Sequence, residues 1–525
     1  MEIAVILLLS CMLRLLFVPT PSSDNWVHLW MTLKCRRGGL GSHGAFNSLI
    51  PGTVGYPSLS HCIVGCFPER LRIAAGYALN ILYDCLSISL VYVVARYLFL
   101  HVWPDGRSNG VFAPHVAATL IFGTMPVLLP IAGRVKNFGG RTSGGLLVLI
   151  YFILFGWAFL WRMPLLFVAC IPVGVAAVMA SQFATQTLVF FSVGLSICYL
   201  SLIPLAVLMG VFACGCAIGP LGVRRILDFM LNHYIWYVRV ARKTVFMSQR
   251  NVLYDILRLP IYLFRRPARF LQLCFTGITP IIILYMVPVL WWFAYWAIVD
   301  VNSLAFVLKG KVTYYLFSLV ATSAVVAVLT SLRPLLFLGE SERYFEYSAP
   351  ALALLFVLHL GETGTPLSAA FWLVLVHIIL ILGTWSMLMR GETARHLKAV
   401  GATGLDEVAE FLVARGAARV VTIPTKLAFA LACRVPADEV LFYYDWVCTG
   451  RLDGFGYMLE DEILYSHIRP DFRHFRDKYD VTTVAARKSA VASIKKEGVD
   501  YSLEGVAPVF QNAEYAVYDI GDLIR

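Results

Sequence analysis

The sequence predicts an α-helical polytopic membrane protein of about ten or eleven spans that ends in a small soluble α/β domain. Three observations carry this. The 525 residues are 59% hydrophobic and only 14% charged, against about a quarter charged in ordinary soluble proteins. Mean hydropathy is +0.74, and the apolar residues gather in runs near the roughly 20 residues that a bilayer core requires. From about residue 392 onward the runs give way to short alternating segments.

In order, the expected spans are 3–19, 76–100, 113–133, 144–161, 164–181, 187–222, 272–298, 312–338, 347–361 and 368–389. The first could pass for a signal peptide. Glu2 in place of a basic n-region, Arg14 in the apolar stretch and the lack of a small-residue cleavage site favour a retained span. The 187–222 stretch is long for one helix and short for two; with Pro204 near its middle it reads as one kinked span or a tight pair. Together residues 1–391 form the expected transmembrane domain.

Two hydrophilic segments interrupt the spans. Segment 20–75 mixes SSDNWVHLW with Gly, Pro and aromatics and predicts an amphipathic helix. Segment 223–271 holds Arg224, Arg225, Arg239, Arg242, Lys243, Arg250, Arg258, Arg265, Arg266 and Arg269 against Asp228 and Asp255. An arginine excess of this kind marks a cytoplasmic loop, and its interleaved apolar residues suit helices lying on the membrane surface. With the N-terminus inside, Asp24 faces the exterior. Counting 187–222 as one span puts 223–271 inside.

Residues 392–525 form the expected soluble domain. GLDEVAEFLVARG and TKLAFALACRV read as helices; ARVVTIP, EVLFYY, DVTTVAA and EYAVYDI read as strands, by alternation and β-branched content. Helix–strand alternation predicts a partly parallel sheet. There is no Gly-rich phosphate loop. The net charge of +11 falls between apolar spans rather than on one face, which argues against nucleic acid as a partner and for anionic lipid. The twelve cysteines show no CxxC spacing and read as small packing residues. In 459–471, Glu460, Asp461, Glu462, His467 and Asp471 lack a fixed ligand spacing.

The chemistry-bearing residues begin just after the first span. Asp24 and His28 are four apart, so a helix sets them on one face; Trp26 and Trp30 share that spacing and suit an interfacial anchor. An acid and an imidazole there can deprotonate a hydroxyl. The structural alternative is that Asp24 caps a helix starting at Asn25. Gly55-Tyr56-Pro57-Ser58-Leu59-Ser60-His61 follows, then Asn80 and Asp84 within a span. A carboxylate at that depth is either functional or paired, and Arg14 and Arg96 are the candidate partners.

The order of these motifs resembles multi-span glycosyltransferases of the GT-C type, bacterial members in particular. KNFGGRTSGG (136–145) is similar to their F-x-x-R-x-x-G loop, and GESERYFEY (339–347), followed by Ala349-Pro350, to their RY-x-x-x-x-P loop. The departure is a single acid, Asp24-Asn25, where many members carry an acidic pair. The resemblance implies transfer of a sugar from a polyprenyl-phosphate donor to a lipid, glycan or protein acceptor in the bacterial inner membrane. It implies no organic cofactor and leaves room for a divalent metal, though no metal ligand set is assigned. Asp24 would be the general base. His28, Tyr56, His61, Asp84, Arg141, Arg343 and Tyr344 would bind substrate, the arginines holding the leaving phosphate through their bidentate forks. GESERYFEY also reads as a self-paired turn. Rival readings of the whole chain are a transporter or lipid flippase, and a catalytically inactive scaffold of the same fold.

Overall fold

The computed structural model describes residues 1–17, 23–38, 44–102, 113–129, 139–239, 253–268, 270, 281–396, 402–416, 418–436, 439–445, 447, 462, 467–496 and 498–525. The chain forms two compact units. The first comprises Met1–Thr20, Ala74–Ile218 and Arg250–Glu392; the second comprises Pro21–Ile73, Gly219–Gln249 and Thr393–Arg525. By contacts, the second unit joins 393–525 to two segments of the expected 1–391 region. The two hydrophilic segments that interrupt the apolar helices belong with the C-terminal residues.

The first unit contains α1 (Glu2–Leu15), α4 (Arg72–Val102), α5 (Pro114–Thr124), α6 (Arg141–Leu160), α7 (Pro164–Ala180), α8 (Gln182–Tyr199) and α9 (Ile203–Ala217). It continues with α11 (Leu253–Arg265), α12 (Ile281–Met286), α13 (Val289–Val299), α14 (Phe306–Lys309), α15 (Lys311–Thr330), α16 (Arg343–Glu362) and α17 (Ser368–His396). Among the described residues, five helices are long and apolar enough to cross a membrane: Glu69–His101, Arg141–Leu160, Lys311–Thr330, Arg343–Glu362 and Ser368–Ser386. A sixth is added if Val289–Val299 and Val301–Lys309, bent by 120°, count as one span. The remainder of the expected ten or eleven are helices too short for a bilayer core alone, such as the 14-residue α1, or polar ones such as α8 with Gln182, Thr185, Gln186 and Thr187.

The 187–222 ambiguity resolves as a pair. Leu200 ends α8 in the left-handed region at φ 48°, and Pro204 opens the first turn of α9, where its missing N–H costs nothing. Central to the unit is α16, which packs against α15 and α5. Nearly every residue from Tyr344 to Leu360 is buried, so its Ala, Leu and Ser residues meet protein on all sides.

The second unit is built on a five-stranded sheet ordered β2-β1-β3-β5-β4: β1 (Arg419–Ile423), β2 (Leu441–Phe442), β3 (Thr483–Arg487), β4 (Phe510–Gln511) and β5 (Tyr515–Asp519). β1 runs parallel to β2 and β3; β5 is antiparallel to β3 and β4. The partly parallel arrangement follows from helical crossovers, α19 (Leu427–Ala432) between β1 and β2 and α20 (Phe472–Tyr479) between β2 and β3. α18 (Ala402–Ala414), α21 (Lys488–Lys496) and α22 (Ile520–Ile524) complete the layer. Four strands and the helices α18 and α19 match the sequence reading. The two-residue β4 was too short to show alternation.

The early segment is woven into this sheet. Phe442 N–H donates to Asn47 O (2.8 Å) and Leu49 N–H to Phe442 O (2.9 Å), so residues 47–49 cover the open edge of β2, which would otherwise present unpaired backbone groups. Helix α2 (Ser23–Gly38) packs on α19 and on α3 (Leu59–Gly65). Trp30 is fully buried, its ring 4.9 Å from Phe46, 5.4 Å from Phe429 and 5.2 Å from Tyr444. Trp26 lies under the Arg434 guanidinium at 4.3 Å. The Trp26/Trp30 pair expected as an interfacial anchor thus faces protein, because Phe429 of α19, Tyr444 just beyond β2 and Phe46 supply an aromatic surface for Trp30. The remaining member is α10 (Val223–Arg239). A side chain at Gly55 would collide with the backbone of Arg225, so the glycine lets the loop approach α10 closely.

Candidate functional site

In the second unit, the α2–α3 pair gathers three of the expected residues. Asn25 through Gly38 continue the helix that holds Asp24, so the four-residue spacing sets Asp24 and His28 on one face of α2. The Asp24 side chain lies outside the described residues. His28 Nδ1 is 2.9 Å from His61 Nε2, and His61 Nδ1 is 3.1 Å from the Pro57 carbonyl. The Tyr56 ring stands edge-on to both, 6.1 Å from His28 and 5.9 Å from His61, and is backed by Phe229 at 6.2 Å. The YPxLxH motif explains the arrangement. Pro57 precedes α3, Ser58 stands at its N-cap position without a side-chain capping bond, and His61 one turn into the helix reaches back to the Pro57 carbonyl.

His61 is 1% exposed. Burial, then the neighbouring His28 and Lys34, holds its pKa well below the usual histidine value. Lys34 is a residue that sequence reasoning missed, since it heads the run Lys34-Cys35-Arg36-Arg37 and reads as part of a solvated basic end. It is 2% exposed and donates from Nζ to Val54 O at 2.8 Å. Burial pulls its pKa down to about 8, with Cys35 and Cys62 acting in the opposite direction.

In the first unit, the expected arginines meet carboxylates. Arg141, the first residue of α6, ion-pairs with Glu346 on α16. Arg343 ion-pairs with Glu340, three residues before it, and lies 4.1 Å over the Phe183 ring. The self-paired-turn reading of GESERYFEY therefore holds for Glu340 and Arg343, while Glu346 reaches across 205 residues of sequence to Arg141. Tyr344 is buried and donates to Leu338 O at 2.7 Å and Gln186 Oε1 at 3.3 Å. Gly339 opens the loop at φ 111°, a conformation that favours glycine. Glu342 is 1% exposed, and burial, then Glu340, pushes its carboxyl up to about 8 against the pull of Arg343. With Glu342 protonated, two guanidiniums face two carboxylates.

Asp84 is 2.7 Å from Arg14 Nε, and Arg14 also donates to the carbonyls of Ser10 and Gly123, each at 3.1 Å. Asn80 accepts from Thr142 at 2.7 Å. Both polar residues of this motif join helices within the unit, Asp84 linking α4 to α1 and Asn80 linking α4 to α6. This is the pairing expected of an ionised group among apolar helices.

The same unit holds an apolar cavity of about 220 Å³ between α4, α6, α15 and α16. Along α6 its wall runs from Val148 to Leu160, about 18 Å at 1.5 Å per residue. His101 and Trp161 lie among its lining residues, as does Tyr347.

In the sheet domain, Glu462 is fully buried and accepts from Tyr443 Oη (2.7 Å), Lys478 Nζ (2.6 Å) and His474 Nε2 (2.9 Å). Asp471 caps α20 by accepting from His474 N–H. Glu460 and Asp461 lie outside the described residues, and among those described no group of three or more His, Cys, Asp or Glu is placed to hold a metal ion.

These features define a helical chain with spans of membrane length and a small α/β unit bearing a histidine pair. No protein-family model matches the chain, and no curated protein matches it.

Proposed function

We propose that the protein is a membrane glycosyltransferase that moves a sugar from a polyprenyl-phosphate donor to a hydroxyl of a lipid, glycan or protein acceptor. One observation carries the reading: the His28–His61 pair, with Tyr56 at its edge, joins α3 to α2, the helix on which Asp24 stands one turn before His28. An acid–imidazole face of this kind removes a proton from a hydroxyl as it attacks. The elongated apolar cavity supports the lipid half of the reading, since an isoprenoid tail needs a dry channel of that kind.

The test is sugar transfer from a radiolabelled polyprenyl-phosphate donor in membranes, comparing the wild type with Asp24→Asn. Loss of the base lowers the rate by roughly 10²-fold or more. Undiminished transfer by folded Asp24→Asn protein removes Asp24 from the mechanism. A lipid flippase is the second reading, favoured by the 120° break between Val289–Val299 and Val301–Lys309, since broken helices mark transport pathways. Lipid movement in proteoliposomes without a covalent product selects it.

A further inference from the structure

Helix α11 (Leu253–Arg265) belongs to the apolar unit, where it packs on α12, but it is not built to span. Its 13 residues reach about 20 Å, against a hydrocarbon core of about 30 Å. Arg258 and Arg265 lie within them. The side chains from Leu257 onward sort into two stripes. Leu257, Ile261 and Phe264 are spaced four and three apart, and Arg258, Tyr262 and Arg265 repeat that spacing one residue later. One residue turns a helix by about 100°, so the basic stripe flanks the apolar one.

The apolar stripe is open. Leu257 is 72% exposed, Ile261 52% and Phe264 84%. A helix with such a stripe, too short and too charged to cross the bilayer, suits the plane of the membrane interface. The other helix of the arginine-rich segment, α10, behaves differently. Its Ile226, Phe229, Met230 and Trp236 are buried. Both helices carry the amphipathic signal; α10 packs its apolar residues into protein, and α11 leaves its stripe uncovered.

Charge names what covers it. Arg265 ends α11 and Arg266 follows; both are exposed, and neither meets a carboxylate among the described residues. With the stripe among acyl chains, arginines on its flank stand at the depth of the headgroup phosphates, and long side chains of this type extend toward that layer. A guanidinium binds phosphate through two parallel hydrogen bonds.

We propose that α11 is a binding element for anionic phospholipid, lying in the headgroup layer with Leu257, Ile261 and Phe264 among the acyl chains and Arg265 and Arg266 on the lipid phosphates. The site is independent of the sugar-transfer reading, and it stands equally if the protein moves lipid instead.

The test uses the full-length protein with a single cysteine carrying a bimane label, in nanodiscs of phosphatidylcholine mixed with phosphatidylglycerol. A label at Phe264→Cys is expected to be shielded from iodide and quenched by lipid spin-labelled high on its acyl chain. The same label at Arg258→Cys stays open to iodide. Spin-labelled phosphatidylglycerol is expected to quench the Phe264→Cys label roughly fivefold more effectively than spin-labelled phosphatidylcholine, the attraction of about one surface arginine. Arg265→Gln with Arg266→Gln, both exposed positions, brings the two lipids together while helix content by far-UV circular dichroism is unchanged. Equal iodide access at the two labelled positions puts the stripe in water and overturns the proposal. Shielding at Phe264→Cys without lipid quenching means that a second copy or another protein covers the stripe, and overturns it as well. Equal quenching by the two lipids with both arginines present removes the anionic lipid, and the proposal with it.

Discussion

At the scale of single residues, three buried charge pairs of the apolar unit are matched within a few ångströms. Asp84 finds Arg14, Arg141 finds Glu346 and Arg343 finds Glu340. Only the last pair is local enough to read from spacing. For Asp84 the sequence offered Arg14 and Arg96 equally, because helical periodicity says which face a residue takes but not which helix meets it. Arg141 and Glu346 are 205 residues apart, and no pattern links them. Glu342 is the exception, with a pKa of about 8 after burial and Glu340 act on it. A carboxyl that keeps its proton when folded and loses it when unfolded makes the folded state relatively less stable as pH rises. Its stabilisation is full below the ordinary carboxyl value near 4.5 and is lost as pH climbs toward 8. Glu342→Gln therefore raises the unfolding temperature of detergent-solubilised protein at pH 8 and flattens its decline between pH 5 and 8. An unfolding temperature equal to wild type across that window shows that Glu342 is already ionised in the fold.

At the scale of elements, legibility followed length and periodicity. Apolar runs revealed the helices, and alternation revealed β1, β2, β3 and β5, but neither signal shows what lies against an amphipathic helix. Helix α2 is the instructive case. Its Trp26 and Trp30 fit a membrane interface as well as a protein core, and only the aromatic surface of Phe429 on α19 and Tyr444 beyond β2 decides between them. Trp30 is fully enclosed by Phe46, Phe429 and Tyr444. Replacing it with alanine removes that packing and costs about 3–5 kcal/mol. Trp30→Ala is expected to release α2 from the sheet domain, detected as faster proteolysis of the sheet unit and loss of its near-UV circular dichroism. Native-like protease resistance would return Trp30 to the role of a membrane anchor.

At the scale of the whole molecule, the composition of the second unit bears on the expected topology. Counting 187–222 as one span set the first loop outside and the arginine-rich segment inside. Yet 47–49 bonds to β2, and Tyr56 packs on Phe229 of α10, so 21–73, 219–249 and 393–525 fold as one body. One body occupies one side of a membrane. Among the described residues between the first two segments, α4 and α6 are the helices long and apolar enough to cross a membrane, and two crossings return the chain to the same face. The charge rule consequently applies to the assembled unit rather than to one loop. The prediction concerns single cysteines placed at the exposed positions Glu69, Arg224 and Glu504 of an otherwise cysteine-free protein. All three are expected to react with a membrane-impermeant maleimide from the same face, in intact cells or in inverted vesicles but never split between them. Arg224→Cys labelling from the face opposite to Glu69→Cys would break the unit apart. It would also separate the histidine pair from the α10 wall that backs Tyr56.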